Sequence, residues 1–456
     1  MLRGREVLAE SARRAELLWQ AGSRRVALAL DNGVDWALWD LALLRAGLVC
    51  VPLPGFFSAE QQRHVLDSAG IDTLIAADPA MQAALGFRVG GHGLGHRDVA
   101  APPALHEGTA KITFTSGTTG RPKGVCLSTA TMLAVAESLR VACAPAGVDR
   151  HLCALPLATL LENIAGLYAP WLAGAEVELM PMANIGLLGS SRFDVPAFLG
   201  ALQASRPNSL ILLPQMLLAL VAAAEAGMPV PDTLRFIAVG GGRVAPQLLR
   251  RAAALGLPVY EGYGLSECAS VVCLNAPGAR HIGAVGSPLP HLGLRIAGDG
   301  EVLVKGPRLL GYLGEPPVEG EWLGTGDLGH FEDGFLVLHG RKKHQFITAF
   351  GRNVSPEWVE AELVQQAPIA QAWLHGEALP ANVAVLVPRA PSCRDEDLAA
   401  AVAQVNAGLP DYARVHRWLR SPVLPEGLAT ANGRLRREAM FDHFRPAIEA
   451  IALQTP

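Results

Sequence analysis

The sequence has 456 residues, half of them apolar, and is longer than one hydrophobic core usually supports, so about two or three domains are expected. The net charge of −4, without an acidic or basic tail, argues against a dedicated nucleic-acid-binding protein. The seven cysteines form no CxxC pair and no Cys/His cluster at zinc spacing, and the N-terminal residues lack the apolar core of a signal peptide, which predicts a reduced, cytoplasmic protein.

Short apolar runs alternate with longer helical patterns along the first part of the chain. Strands are predicted over residues 25–30, 49–53, 73–77, 210–213 and 235–240, with a helix over 36–47. Strands that alternate with helices predict layered α/β sheets. The apolar stretch 209–224 is interrupted by Pro214 and Gln215, and we interpret it as a buried strand followed by a helix rather than as a membrane span.

Later in the chain, glycine and aspartate turns separate short strands, and a compact region with its own strands and helices follows. We therefore predict an α/β fold with a large N-terminal domain, residues 1–342. It consists of layered α/β sheets plus a β-rich subdomain at about 283–340. A small α+β domain is predicted over residues 343–456.

Residues 114–124, FTSGTTGRPKG, have the composition of a phosphate-binding loop. Residues 111–115 are predicted to form a strand, after which glycines and hydroxyl residues let the backbone turn close to a ligand. Successive N–H groups would form an anion-binding nest, Lys123 adds a positive charge, and a helix beginning near Ser128 adds its positive end. The spacing of Gly117 and Lys123 is not that of a Walker A motif.

The run TSGTTGRPKG resembles the signature of the adenylate-forming superfamily, which includes acyl-CoA synthetases, peptide-synthetase adenylation domains and beetle luciferases. The resemblance implies that the small C-terminal domain is mobile. It also implies that a carboxylic acid and ATP form acyl-AMP with release of pyrophosphate, and that the acyl group then passes to a thiol. The residues that it assigns to the nucleotide phosphates are Thr115, Ser116, Gly117, Thr118, Thr119, Gly120 and Lys123.

Residues 260–268, YEGYGLSEC, resemble the family's YGxTE motif. The resemblance implies that Tyr263 stacks on adenine, that Gly264 and Ser266 border the nucleotide, and that Glu267 holds Mg²⁺. A tyrosine offers a π face for such stacking, and a carboxylate is a ligand that Mg²⁺ prefers.

Residues 324–329, GTGDLG, and the following GRKK resemble two further motifs of the family. They imply that Asp327 accepts hydrogen bonds from the ribose hydroxyls, that Arg341 meets ribose and phosphate, and that Lys343 is the hinge of the C-terminal domain. An aspartate between glycines is by itself also a turn signal.

Residues 239–243, VGGGR, resemble a glycine-rich strand end, although three glycines also suit a plain tight turn. The resemblance implies that Gly241 and Gly242 lie beside the nucleotide and that Gly240 and Gly262 lie beside the acyl chain.

Residues 155–162, LPLATLLE, resemble the LPLxHxxE stretch of long-chain acyl-CoA synthetases, with Thr159 in place of the histidine and Glu162 retained. The resemblance places both residues at the acid substrate. This region holds no aspartate to pair the α-ammonium of an amino acid, and a buried ammonium without a partner is costly. An apolar pocket for a fatty or other hydrophobic carboxylic acid is therefore predicted.

The C-terminal stretch GLATANGRLRR has Arg434 where the family's last motif has a catalytic lysine, and no lysine follows Lys343. Arginine is bulkier and planar, so the exchange is not conservative. Three interpretations are open. Arg434 supplies the charge in a working ligase, or adenylation is slow while thioester formation is intact, or the chain is a pseudoenzyme that binds nucleotide and acyl ligand without turnover.

We expect an AMP-forming acid–thiol ligase of the long-chain acyl-CoA synthetase type, with Arg434, Lys123 and Glu267 as catalytic residues. The implied cofactors are ATP, Mg²⁺ and CoA, and a phosphopantetheinyl carrier protein is the alternative acceptor.

Overall fold

The computed structural model describes residues 2–115, 122–189, 192–430 and 435–452. Within these ranges, two large mixed sheets of eight and seven strands are covered by helices, and smaller sheets follow. The helices between residues 2 and 254 are Gly4–Gln20, Val34–Ala46, Ala59–Ser68, Pro79–Ala84, Thr129–Cys143, Ala169–Leu172, Val195–Ser205, Pro214–Glu225 and Pro246–Ala254. Short 3₁₀ helices are Gly91–Gly93, Ala144–Ala146, Ser266–Cys268 and Asp411–Ala413. The layered α/β architecture predicted from the sequence is confirmed.

The first large sheet carries the strand that leads to the predicted phosphate loop. Its strands lie in the order Gly311–Tyr312, Lys123–Leu127, Lys111–Thr115, Val49–Pro52, Arg25–Ala29, Thr73–Ala76, Leu94–His96 and Arg88–Val89. The strands Lys111–Thr115 and Lys123–Leu127 are antiparallel neighbours, and Thr115 lies opposite Lys123. This pairing fixes the chain on both sides of residues 116–121.

The second large sheet supplies the glycine-rich segments. Its order is Ser287–Pro288, Ser270–Leu274, Val259–Leu265, Phe236–Val239, Ser209–Leu212, Arg150–Leu152 and Glu176–Glu178. The strand Ser209–Leu212 is buried throughout, as expected for a parallel strand covered on both faces. It is followed by the helix Pro214–Glu225, which confirms the strand–helix interpretation of residues 209–224. No helix in the described ranges combines the length and apolar content needed to cross a bilayer.

A π-helix, Leu161–Tyr168, lies between the two sheets. Its residues Leu161 and Ala165 pack against the hydrophobic cores of both sheets, as does Ala238. This π-helix is not predicted from the sequence; its wider turn is uncommon and is often found at functional sites.

Lys111, the first residue of the strand before the phosphate loop, is completely buried. Its Nζ donates to Asp40 Oδ1 at 2.8 Å, to Asn163 Oδ1 at 2.5 Å and to the Tyr168 hydroxyl at 3.1 Å. Asp40 Oδ2 in turn accepts the Tyr168 hydroxyl at 2.5 Å and Asn163 Nδ2 at 3.0 Å. This network ties the strand to the helix Val34–Ala46 and to the π-helix.

The remaining sheets lie after residue 290, apart from one two-stranded pair within residues 187–193. An antiparallel sheet has the order Gly293–Ile296, Glu301–Lys305, Leu323–Glu332 and Phe335–Arg341. A three-stranded sheet has the order Ile369–His375, Asn382–Pro388 and Val415–Arg420, and it packs with the helices Pro356–Val364, Asp395–Gly408 and Arg437–Ala452. Two-stranded pairs are Leu187–Leu188 with Arg192–Phe193 and Phe346–Ile347 with Asn353–Val354. The division into domains at residues 342 and 343 stays a prediction.

Candidate active site

Asp327 is the centre of a polar cluster formed by three predicted nucleotide-binding residues. It lies opposite Arg341 in the pairing of the strands Leu323–Glu332 and Phe335–Arg341. Its Oδ1 is 2.7 Å from Arg341 Nε, and its Oδ2 accepts the Tyr263 hydroxyl at 2.6 Å. Burial raises the pKa of Asp327, although Arg341 and Tyr263 act in the opposite direction. The arrangement presents a buried carboxylate whose two oxygens are held by an arginine and a tyrosine.

A β-bulge sets the direction of Tyr263. The strand Val259–Leu265 pairs with Ser270–Leu274, and its register shifts between Tyr263 and Gly264. A Cβ at Gly264 would overlap the carbonyl oxygen of Ser270, so only glycine fits there without movement of the backbone. Bulges commonly redirect a side chain in this way.

Glu267, the predicted Mg²⁺ ligand, is held by a residue that the sequence analysis missed. The Tyr312 hydroxyl donates to Glu267 Oε1 at 2.8 Å. Burial and then the Glu267 charge raise the pKa of Tyr312, so its hydroxyl stays protonated and remains a donor. Ser266 and Glu267 lie together on the 3₁₀ helix Ser266–Cys268. A single oriented carboxylate fits Mg²⁺, which takes most of its remaining ligands from substrate phosphates and water.

Lys123 lies beside the same tyrosine. Its Nζ is 3.0 Å from Glu315 Oε1 and 5.5 Å from the centre of the Tyr312 ring. The contact follows from the pairing of Tyr312 with Val125, which joins chain segments that are far apart in the sequence. Nothing local in GYLGE, residues 311–315, predicts this group, because its contacts depend on the pairing of distant strands.

The predicted glycines of the second sheet come together. A Cβ at Gly240 would lie 3.1 Å from the Gly262 carbonyl oxygen, and a Cβ at Gly262 would lie 3.1 Å from Leu274 Cδ1. Gly241 has a φ of 77°, which L residues rarely adopt. Gly242 has room for a Cβ in ordinary contact with Pro214. The roles of these glycines toward nucleotide and acyl chain stay predictions.

The two predicted acid-binding residues are in different surroundings. The Thr159 hydroxyl donates to the Pro156 carbonyl oxygen at 2.8 Å and so closes a local turn. Glu162 is fully buried on the π-helix, where burial raises its pKa, and its Oε1 is 3.5 Å from His151 Nε2. His151, Cys153 and Glu162 offer ligand atoms within 4.8 Å of one another, a grouping that the spacing of cysteines and histidines in the sequence does not predict.

The predicted hinge follows directly after Arg341. The backbone N–H groups of His344 and Gln345 both donate to the Arg341 carbonyl oxygen, at 3.0 and 3.1 Å. Lys342 Nζ donates to Asp299 at 2.6 Å. The hinge role of Lys343 stays a prediction. Among the predicted site residues, Ser116, Gly117, Thr118, Thr119, Gly120 and Arg434 lie outside the described residues.

Polar side chains that converge at the glycine-rich edge of a sheet are typical of the ligand-binding site of an α/β protein. The AMP-binding enzyme family matches residues 3–313, and the chain belongs to this family. The predicted family is thereby confirmed.

Named relatives and a solved structure agree with this membership. Long-chain-fatty-acid–CoA ligase 1 of Cavia porcellus is 25% identical over an alignment that covers 92% of this chain and 77% of the relative. The 2-succinylbenzoate–CoA ligase of Enterococcus faecalis is 28% identical over an alignment that covers 93% of this chain and 89% of the relative. The structure of O-succinylbenzoate coenzyme A synthetase (MenE) from Bacillus subtilis, in complex with ATP and magnesium ion, aligns with a TM-score of 0.74 and 25% identity, covering 95% of this chain and 93% of that one. The fold prediction is confirmed, and the ligase names agree with the predicted enzyme class.

Proposed function

We propose that this protein activates a hydrophobic carboxylic acid with ATP and transfers the acyl group to the thiol of CoA. The observation that carries the proposal is the convergence of Tyr263 and Arg341 on the buried carboxylate of Asp327. The names of the relatives support a CoA acceptor and acids that are either aliphatic or aromatic.

The residues have distinct tasks in this proposal. Asp327 binds the ribose hydroxyls, and the ion pair with Arg341 orients its carboxylate and opposes the rise in its pKa that burial causes. Tyr263 offers its ring to adenine. When bound, Mg²⁺ would neutralise phosphate charge, and Glu267 would hold it in the orientation set by Tyr312.

Two group transfers complete the reaction. A carboxylate oxygen of the acid forms a bond to the α-phosphorus of ATP, while the bond from that phosphorus to the bridging oxygen breaks and pyrophosphate leaves. A thiolate then bonds to the acyl carbonyl carbon, and AMP leaves with the electron pair of the broken C–O bond. Lys123 and Arg434 supply positive charge to the phosphates, and preorganised charge of this kind is commonly a large part of catalysis.

The first test is acid-dependent exchange of pyrophosphate into ATP across fatty and aryl acids. We expect exchange by the wild type, retention of exchange by Arg434→Lys, and a loss of about 10²–10³-fold in Arg434→Ala because a transition-state charge is removed. Arg445→Ala is the matched control, since Arg445 is a half-exposed partner of Asp442 on a helix surface.

The outcomes separate the alternatives. If the wild-type protein binds ATP but catalyses no pyrophosphate exchange with any acid, the result would favour the pseudoenzyme interpretation. The named relatives provide no support for that interpretation. Exchange without a CoA thioester would favour a carrier protein as acceptor, or arrested adenylation.

Tyr312→Phe is expected to raise the Mg²⁺ concentration needed for half-maximal exchange by about 10–100-fold, because a partner that orients a metal ligand is lost. The aromatic ring beside Lys123 is retained in this variant. Mn²⁺ binding in the presence of ATP, followed by electron paramagnetic resonance, gives a readout besides activity. Tyr412→Phe, in a half-exposed position on the C-terminal part, is the control. An unchanged metal requirement in Tyr312→Phe would contradict the assigned role.

A further inference from the structure

Three side chains that are able to bind a metal ion meet where the second large sheet contacts the π-helix. His151 lies on the strand Arg150–Leu152, Cys153 directly follows that strand, and Glu162 lies on the π-helix. Their ligand atoms are within 4.8 Å of one another, and His151 Nε2 is 3.5 Å from Glu162 Oε1. All three side chains are buried, so this cluster is closed to solvent.

The carboxyl group of Glu162 is incompletely satisfied by the protein. Its Oε2 atom is buried and has no hydrogen-bond partner among the described residues. A buried polar oxygen without a partner is costly, and a bound ion or water is one explanation for such an atom. Burial also raises the pKa of both Glu162 and Cys153, so their anions are disfavoured unless a positive charge lies beside them. A bound cation would supply this charge and a partner for the carboxylate.

The neighbouring strand orients the ring of His151. His151 and Ser209 are partners in a parallel pairing, and His151 Nδ1 is 2.8 Å from the Ser209 hydroxyl oxygen. This contact leaves Nε2 on the side of Glu162. A histidine that binds a metal through one ring nitrogen usually donates its other N–H to an oxygen, which fixes the orientation of the ring. Ser209 is placed as such a supporting partner.

A glycine keeps space beside two of the three ligands. A Cβ at Gly166 would lie 2.5 Å from Glu162 Oε1 and 3.0 Å from His151 Nε2. Gly166 is four positions after Glu162 on the π-helix, so a side chain there would enter the cluster. Its absence leaves room for a small ion between the strand and the π-helix.

We propose that His151 Nε2, Cys153 Sγ and a carboxylate oxygen of Glu162 bind one Zn²⁺ ion. Zn²⁺ takes mixed nitrogen, sulfur and oxygen ligands, whereas Mg²⁺ takes oxygen ligands. At zinc bond lengths, nitrogen and oxygen ligands of a tetrahedral site are about 3.3–3.5 Å apart, close to the 3.5 Å between His151 Nε2 and Glu162 Oε1. The sulfur has to approach by no more than about 1 Å, since it lies within 4.8 Å of both atoms.

The ion would join the end of the strand to the π-helix. Structural zinc sites are closed to solvent, as this cluster is, and a small fourth ligand would complete the tetrahedron. The thiolate and the carboxylate together balance the charge of the ion. The site gives Glu162 a role other than binding the acid substrate, and it does not depend on the acyl-transfer reaction.

The first experiment measures the metal content of the full chain. The wild type is produced with zinc in the medium, dialysed against a chelator in the folded state and analysed by mass spectrometry, and about one zinc ion per chain is expected. Refolding with Co²⁺ gives a second readout, because thiolate-bound cobalt has a charge-transfer absorption band. Cys153→Ser is expected to lose both the zinc and the band, whereas Cys393→Ser, at a partly exposed cysteine, keeps both.

Ser209→Ala tests the orientation of His151 while all three ligands are retained. Loss of a partner that orients a metal ligand is expected to weaken zinc affinity by about 10–100-fold. The affinity is measured by competition with a chromophoric chelator. Zinc should also raise the thermal unfolding midpoint of the wild type but not that of Cys153→Ser, because only the former gains a ligand of the folded state.

Two results would overturn the proposal. Equal metal binding by the wild type, Cys153→Ser and Glu162→Gln would indicate an adventitious ion only. Refolded wild type that takes up neither zinc nor cobalt would also exclude the site. If Cys153→Ser does not fold, Glu162→Gln decides, because glutamine keeps the shape of glutamate but is a weaker metal ligand. Pyrophosphate exchange is not used in this test, so the proposed function is judged separately.

Discussion

Replacing Lys111 with methionine is expected to lower the free energy of unfolding by about 3–5 kcal/mol, because Asp40 then stays buried without its cation. Both side chains are fully buried, so water cannot screen the remaining charge. The loss is measured by denaturant unfolding at neutral pH, with circular dichroism and tryptophan fluorescence as two probes. Trp36 lies close to the network, since Lys111 Nζ is 5.9 Å from its ring centre.

Two comparisons isolate the buried charge. Lys305→Met removes a half-exposed lysine that pairs with Glu321, and the expected cost is only about 0–1 kcal/mol. The double variant Lys111→Met with Asp40→Leu should recover much of the loss, because a buried ion pair is often replaced by apolar groups at little cost. Recovery stays incomplete, since Asn163 and Tyr168 lose partners in the double variant. If Lys111→Met cost no more than Lys305→Met, the ionic description of the network would be wrong.

Asp327→Ala is expected to reduce kcat/KM for ATP by about 10²–10⁴-fold. The proposed function assigns two ribose hydroxyls to this carboxylate, and each hydrogen bond to a charged group contributes about 1.5–3 kcal/mol. A loss of about 1.4 kcal/mol of binding free energy corresponds to a tenfold change. The substitution also removes the acceptor of the Tyr263 hydroxyl and the partner of Arg341. The kinetic constant is measured by exchange at saturating acid and varied ATP.

A second nucleotide tests the assignment of the ribose. With 2′,3′-dideoxy-ATP, which lacks both hydroxyls, wild type and Asp327→Ala should differ much less than they do with ATP. Asp232→Ala is the control, because Asp232 is an exposed partner of Arg206. A loss of the same size with both nucleotides would show that Asp327 acts by holding Tyr263 and Arg341 rather than by binding ribose.

Much of the architecture was predictable because it follows from short-range patterns. The strand and helix at residues 209–225 are recognisable from an apolar run that Pro214 interrupts, since proline suits the first turn of a helix. Pro356 likewise begins its helix after Ser355. The family resemblance assigned Tyr263, Asp327 and Arg341 to one nucleotide, but their direct contacts were not predicted, because nothing local in these motifs specifies a contact across 64 residues.

By itself, the sequence determined the alternation of strands and helices, the glycine-rich turns and the motifs that identify the family. Only the tertiary structure decided which distant side chains form hydrogen bonds and ion pairs with the residues of these elements and motifs. Tyr312 meets Glu267 across 45 residues, Lys111 meets Asp40 across 71, and Arg437 meets Glu360 across 77. Hydrophobic periodicity specifies which face of an element is buried, but a partner for a buried charge is chosen by sheet order and helix packing. These supporting residues therefore carry no local signal, although the fully buried pair of Lys111 and Asp40 is costly to break.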